Sequence, residues 1–278
     1  MKKLIVSSEC FGWNHDFNRA ILNGSNNGFL TNARIIANGE AFDSALYEIA
    51  PECPNVSFGI NLNITKGKSL TRCTYITDND RNFNKNLFTL IKLSKNKNAL
   101  IEIENEFRAQ IEKIIMSATI KSISSVDFVH EIPSIFKIVC KLAKQYKIDR
   151  IITHSENLIL PTSGKYLCNY KLYKNIPTLA LINKYSHNNK KYLLEQNILT
   201  NDYFISNLYA GLFNNNIIET ILKNYSDKKF CTVELSLKPV SYLRDQNDTY
   251  SREFKITQDR LLEDNINRLG FDITNYKN

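Results

Sequence analysis

Glu9 and Cys10 stand side by side where a short apolar run, Leu4-Ile5-Val6, gives way to Ser7-Ser8 and is followed by Phe11-Gly12. In a β/α barrel reacting groups come from the C-terminal ends of the strands, and this is the first such place in the chain. The thiol of Cys10 has three readings: a small core residue, a nucleophile, or a soft-metal ligand shared with His130 or His154. The negative charge of Glu9 disfavours the thiolate of its neighbour. At a second strand end, Thr153-His154-Ser155-Glu156 sets an imidazole two residues from a carboxylate. His154 and Glu156 therefore read either as an acid/base pair or as structural hydrogen-bonders. Trp13 is the only tryptophan, and its flat face suits stacking on a sugar ring.

Other chemistries lack their residues. The six cysteines form no CxxC pair, which excludes zinc-ribbon and thioredoxin-like sites and suits a reducing, cytoplasmic compartment. There is no GxGxxG, no P-loop and no GxSxG. The formal net charge of +8 favours anionic ligands such as sugar phosphates or nucleotide sugars. The basic residues are spread along the chain without a nucleic-acid motif, so nucleic acid is not an expected partner. No apolar stretch approaches the roughly 18 residues of a membrane span, and Leu4 to Val6 is too short for a signal peptide.

These residues need elements to hold them. Leu4-Ile5-Val6, Arg34-Ile35-Ile36-Ala37, Val56 to Asn63, Ile120 to Val126, Ile151-Ile152-Thr153, Cys231 to Leu237 and Phe271 to Tyr276 read as strands. Between them, helices are expected from Asp16 as N-cap to a break at Asn23-Gly24, and over Ala41 to Ile49, Ala99 to Ser117, Pro133 to Ala143, Ile217 to Tyr225 and Gln258 to Leu269. From Val56 to Asn63 the residues alternate, with Ser57, Gly59, Asn61 and Asn63 on one side. Strands alternating with helices predict an α/β fold with a parallel sheet or barrel. The 278 residues are read as one domain, 1–278, with a less regular insertion or lid around 166–204. In a β/α barrel the functional groups gather at the C-terminal ends of the strands.

Several segments resemble the YdjC-like carbohydrate deacetylases. They are Phe11-Gly12, Asn18-Arg19-Ala20, Asn38-Gly39, Ala41-Phe42, Gly59-Ile60-Asn61-Leu62-Asn63-Ile64-Thr65, Glu106 to Glu112, Ile132-Pro133 through Tyr146, and Glu234-Leu235. The resemblance implies a distorted TIM-like (β/α) barrel. It also implies a site at the barrel mouth that hydrolyses an acetylated amino sugar with a divalent metal. In that family one acid is the general base, and another acid with two histidines holds the metal. The general base matches Glu9. The three ligand positions match Cys10, Asn61 and Val126. The family's histidine-rich strand matches Ser124 to His130, where only the last histidine, His130, remains. The late histidine, placed to protonate the leaving amine, matches Lys238. Glu156 matches an acid that is retained. Asn61 offers a neutral carbonyl and Val126 offers no donor, so no metal and no other cofactor is expected.

The resemblance thus implies a divergent deacetylase-like protein, a pseudoenzyme in the family's own chemistry. It is expected to bind a sugar, glycan or nucleotide sugar in the mouth. The metal hydrolysis is either lost or replaced by metal-independent acid/base chemistry of Glu9 with Lys238, two residues expected to form an ion pair or to share a ligand. Cys10, Trp13, Asn61, Asn63, Asp127, His130, His154 and Glu156 are the candidate substrate-binding residues. Two other readings stay open: an active N-deacetylase with a rebuilt site in polysaccharide or amino-sugar metabolism, and a non-enzymatic partner or scaffold subunit. Assembly as a homo-oligomer is also left open.

Overall fold

The computed structural model describes residues 1–160, 169–241 and 249–277. Seven strands form one sheet: β1 (Lys2–Phe11), β2 (Asn32–Ile35), β3 (Ser57–Leu62), β4 (Ser122–Ser125), β5 (Tyr203–Ile205), β6 (Cys231–Leu237) and β7 (Phe271–Ile273). Their order is β4-β3-β2-β1-β6-β5, with every pair parallel. β7 pairs with the first residues of β1, below the stretch that pairs with β2. The sheet curls, and single parallel bridges from Ile151 to Ile123 and from Arg150 to Leu199 link its outer edges. The result is the α/β barrel-like fold expected from the alternation of strands and helices.

The outer face is apolar because the helices cover it. Ala33, Ile35, Ile60, Leu62 and Ile123 pack with Ile103, Phe107 and Ile111 of α4 (Lys97–Ile115) and with Phe136 and Val139 of α5 (Pro133–Gln145). On the other side of β1, Leu4, Val6, Val233 and Leu235 pack with Ile217, Ile221, Leu262 and Ile266. Each fully buried side chain of this size contributes roughly 1.5–3 kcal/mol. The inner face follows from the strand period of two. Its bottom is apolar, built from Ile5, Ile152, Phe204 and Tyr276. Glu234 faces inward at the level of Ile5, and above this plug the inward residues are charged or polar: Glu9, Arg34, Asn61 and Ser124, all buried. Gly59 makes room for them. A Cβ there would lie 2.4 Å from Ser122 Oγ and 3.3 Å from the Arg34 side chain.

Some boundaries differ from the sequence reading. α1 (His15–Asn26) is capped by Asn14, whose side chain accepts from the Phe17 N–H, so Asp16 lies inside the helix. Asn23-Gly24 does not break it, because Gly24 is a buried contact with Thr257, where a side chain would crowd. From Phe42 to Glu52 the chain makes a short α turn, a π turn and a 3-10 turn rather than one helix. β4 stops at Ser125, and Val126–Glu131 coils tightly, with Asp127 and Phe128 at φ of 52° and 61°. Within 166–204, residues 170–195 form one helix, here α6 (Tyr170–Glu195). Leu179, Ile182 and Leu193 tie it into the two apolar clusters. Its sequence carries Pro177 and no clean apolar stripe, which hid it from periodicity. Residues 166–168 of that stretch lie outside the described residues.

Candidate functional site

β1, β3, β6 and the turns after β3 and β4 surround a cleft of about 270 Å³ at the C-terminal end of the sheet. Its walls include Glu9, Cys10, Trp13, Asn61, Asp127 and Lys238, six of the residues singled out by sequence. Lys66, Val126 and Tyr250 complete much of the rest. The volume lies just below the range of about 300–1,000 Å³ typical of drug-sized ligands, so it suits a small one.

Beneath the cleft the charges form a connected chain. Arg34, wholly buried, contacts Glu9 Oε1 at 3.4 Å and is hydrogen-bonded to Glu234 through its other terminal nitrogen. The Tyr276 hydroxyl donates to Glu234 Oε2 at 2.7 Å. His154 Nε2 lies 3.7 Å from Glu9 Oε1, and His154 Nδ1 lies 3.3 Å from Glu131 Oε1. Glu131 also accepts from the His154 backbone N–H at 2.6 Å, from Ser186 at 2.8 Å and from Asn189 at 2.7 Å. Buried charges cost several kcal/mol each unless paired, and here each carboxylate faces a cation. Burial alone pushes the Glu9 carboxyl up; contact with the His154 ring and the charge of Arg34 outweigh it and hold Glu9 at about 2. Burial likewise pushes Glu131 up, and His154 and His130 bring it down to about 2.

The other groups behave differently. Burial pushes the Cys10 thiol up to about 12, against the pull of Lys238. Cys10 is therefore neutral and a poor nucleophile. Burial pulls the Lys238 ammonium down, but the groups around it raise it above its ordinary value. With Cys10 neutral, we assign that effect to the carboxylates of Glu9, Asp127 and Glu253. Among the described residues Lys238 forms no ion pair, and its backbone N–H donates to Glu253 at 2.6 Å. The direct Glu9–Lys238 pair expected from sequence is not formed, because Arg34 and His154 already occupy the Glu9 carboxylate. Both residues line the same cleft.

Four expected residues lie outside the cleft wall. Asn63 organises the turn that carries Lys66: its side chain accepts from the Thr65 and Lys66 N–H groups and donates to Lys66 O and Asn38. His130 is buried with both ring nitrogens engaged, Nδ1 by Ser125 Oγ at 2.6 Å and Nε2 by Ile152 O at 2.8 Å. Burial lowers its pKa to about 4, so it is neutral. His154 sits behind Glu9. Glu156 accepts the N–H groups of Ser206, Asn207 and Leu208 and pins the turn after β5. Burial pushes its carboxyl up to about 7, with those three N–H groups opposing. His154 and Glu156 therefore make no direct acid/base pair here.

Sequence reasoning missed Arg34 and Lys66. Arg34 carried a signal: one charge inside a strand otherwise buried on both faces demands a buried counter-charge. Lys66 carried none, since it opens a polar loop.

A divalent ion does not fit the cleft. The Glu9 carboxylate is taken by Arg34 and the His154 ring, Cys10 is a neutral thiol, and Val126 has no donor. Lys238 and Lys66 add positive charge to the walls. Among the described residues, donor atoms of His130, Glu131 and His154 lie within 4.8 Å of one another. All of them already serve the hydrogen bonds and ion pairs given above, so an ion would have to break those contacts.

A parallel, helix-covered sheet with a charged mouth at the strand ends places this chain among the barrel-like α/β proteins. The chain belongs to the YdjC-like protein family, which it matches over residues 3–264. Curated relatives named carbohydrate deacetylase align over about half of it. The Brevibacillus brevis protein is 32% identical over 52% of this chain and 57% of its own length. The Clostridium beijerinckii protein is 32% identical over 52% and 58%, and a Listeria innocua protein, carbohydrate deacetylase 1, is 33% identical over 55% and 62%. The chain thus spans little more than half the length of the relatives it matches. An Enterococcus faecalis V583 protein, provisionally named a cellobiose-phosphate cleavage protein, superimposes with a TM-score of 0.75 at 20% identity, covering 99% of this chain and 98% of its own. That likeness establishes the fold. No described helix is long and apolar enough to cross a membrane.

Proposed function

We propose that this protein binds a carbohydrate in the cleft at its barrel mouth, and that the site works without a divalent metal and without hydrolysis. The state of Glu9 carries this reading. A carboxylate held at about 2 is a weak proton acceptor near neutral pH. Cys10, held at about 12, is a weak nucleophile. Lys238, raised and protonated, is a weak acid. What the cleft offers instead is recognition. Glu9 and Asn61 accept from or donate to hydroxyls, Trp13 and Tyr250 present aromatic faces, and Lys238 with Lys66 favours an anionic sugar or nucleotide sugar. The described cysteines are free, which accords with a cytoplasmic setting.

The test is calorimetric titration with neutral sugars, N-acetylated amino sugars and nucleotide sugars in the presence of chelator, alongside an acetate-release assay with and without zinc or magnesium. Saturable binding in chelator without acetate release supports the reading. Acetate release that requires the divalent ion restores the N-deacetylase reading. Failure of every sugar to bind favours the scaffold subunit.

A further inference from the structure

Glu106 and Gln110 lie one turn apart on α4, and both are completely buried. Side chains four residues apart share one face of a helix. A buried carboxylate and a buried amide need partners for their polar atoms. Apart from the bond between them, theirs come from a single loop, the one that follows β3. Gln110 Oε1 accepts from the Asn63 N–H at 2.8 Å, and Gln110 Nε2 donates to Asn63 O at 2.6 Å and to Glu106 Oε1 at 2.8 Å. Glu106 Oε1 accepts from the Leu70 N–H at 3.0 Å. Glu106 Oε2 accepts from the Thr71 N–H at 2.8 Å and from the Thr71 hydroxyl at 2.6 Å. One helix turn thus grips both ends of the loop 63–71.

Between its ends the loop carries two parts of the cleft. Lys66 lines the wall, with Nζ 3.7 Å from Asp127 Oδ1. Gly67, at a φ of 70°, lies against the indole of Trp13: a Cβ there would be 3.5 Å from Cη2 and 3.6 Å from Cζ3. The left-handed backbone and the close approach both call for glycine. Asn38 tightens the same stretch, donating to Lys66 O at 3.0 Å and to Lys68 O at 2.9 Å and accepting from Asn63 Nδ2 at 2.8 Å. One edge of Trp13 is therefore bounded by a loop whose ends are tied to α4.

We propose that Glu106 and Gln110 are positioning residues for recognition: through the loop 63–71 they hold Lys66 at the mouth and set the plane of the Trp13 indole. That role rests on the carbohydrate reading; the placement of the indole does not. The residue types suit the task. The far end of the loop presents two consecutive backbone N–H groups and a hydroxyl, which two acceptor oxygens of one carboxylate can meet together. The near end presents one N–H and one C=O of the same residue, which an amide matches atom for atom. Exchanging Glu106 for Gln turns one acceptor into a donor, so an N–H of the loop or of Gln110 would face another N–H.

Trp13 is the only tryptophan, so the fluorescence of the intact, ligand-free chain reads this wall. Glu106→Gln should move the emission to longer wavelength and raise acrylamide quenching, because the loosened loop uncovers the edge of the ring. Thr71→Val removes only the hydroxyl bond to Glu106 and should do the same to a smaller extent. Val139→Ala, a change at a fully buried position on α5, should lower the urea midpoint yet leave both signals of the folded protein at their wild-type values. A folded Glu106→Gln protein with wild-type emission and quenching overturns the proposal. So does an equal shift in Val139→Ala, which would make Trp13 a reporter of general loosening. Should Glu106→Gln fail to fold, Thr71→Val decides, and an emission and quenching identical to wild type in that variant overturn the proposal as well. A failed sugar screen leaves these spectra as they are, so the carbohydrate reading and the positioning role fail separately.

Discussion

Arg34 meets Glu9 across the β1–β2 pair at 3.4 Å while its other arm holds Glu234 on the far side of β1, so one guanidinium bridges two buried carboxylates on neighbouring strands. The side chain is completely buried, and Gly59 leaves the space it fills. Removing one partner from such a group leaves the others as unpaired buried charges. Arg34→Met is therefore expected to destabilise the fold by about 3–5 kcal/mol. Urea denaturation checks this. A loss below about 1 kcal/mol, the range of exposed pairs, would show that the pairing carries little.

The pH dependence of stability has a worked sign. Glu9 and Glu131 are held at about 2 against an ordinary 4.5, so their contribution is present above pH 4.5 and lost as the pH falls toward 2. His154 is raised, so its contribution is full below 6.5 and is lost as the pH rises through its folded value. Glu156, pushed up to about 7, adds to the decline between pH 4.5 and 7. Melting temperature should therefore peak on the acid side of neutrality and fall in both directions. A peak well above pH 7 contradicts these assignments.

Divalent ions should leave the protein indifferent. A ligand that binds only the folded state raises the melting point. With Glu9 occupied and Val126 at a ligand position, neither zinc nor magnesium is expected to do so, nor should chelator lower it. Differential scanning fluorimetry decides the matter, and a saturable upward shift with stoichiometric metal would refute it.

Lys238 and Trp13 separate recognition from stability. Lys238 forms no ion pair among the described residues, and Trp13 lines the cleft half-exposed. Lys238→Ala should weaken an anionic sugar about tenfold or more, the worth of a charge-assisted hydrogen bond. Trp13→Ala should weaken neutral and anionic sugars alike, because stacking ignores charge. Titration calorimetry reads both. Equal losses for all ligands in Lys238→Ala would remove its charge from recognition.

Phe107 on α4 is a fully buried core residue away from the cleft. Phe107→Ala should cost about 3–5 kcal/mol of stability. Sugar affinity of the protein that remains folded should be unchanged, which calorimetry at low temperature can verify.

The outline of the fold is legible in local sequence. Apolar runs at Leu4 to Val6 and Cys231 to Leu237, separated by amphipathic helices such as α4, suffice for a parallel sheet, because hydrophobic period is a local property. The sequence also places Glu9, Cys10, Asn61 and Lys238 at strand ends, where a barrel gathers its chemistry. Which of them meet depends on the packed fold. Arg34 and Glu234 are 200 residues apart, and Glu131 lies 55 residues from Ser186. No local pattern encodes such pairings, since they depend on strand order, register and the curl of the sheet. From its place in the chain Lys238 is the expected partner of Glu9; packing gives that carboxylate to Arg34 and His154 instead, because in a low-dielectric interior the nearest enclosed partners outweigh a cation at the rim.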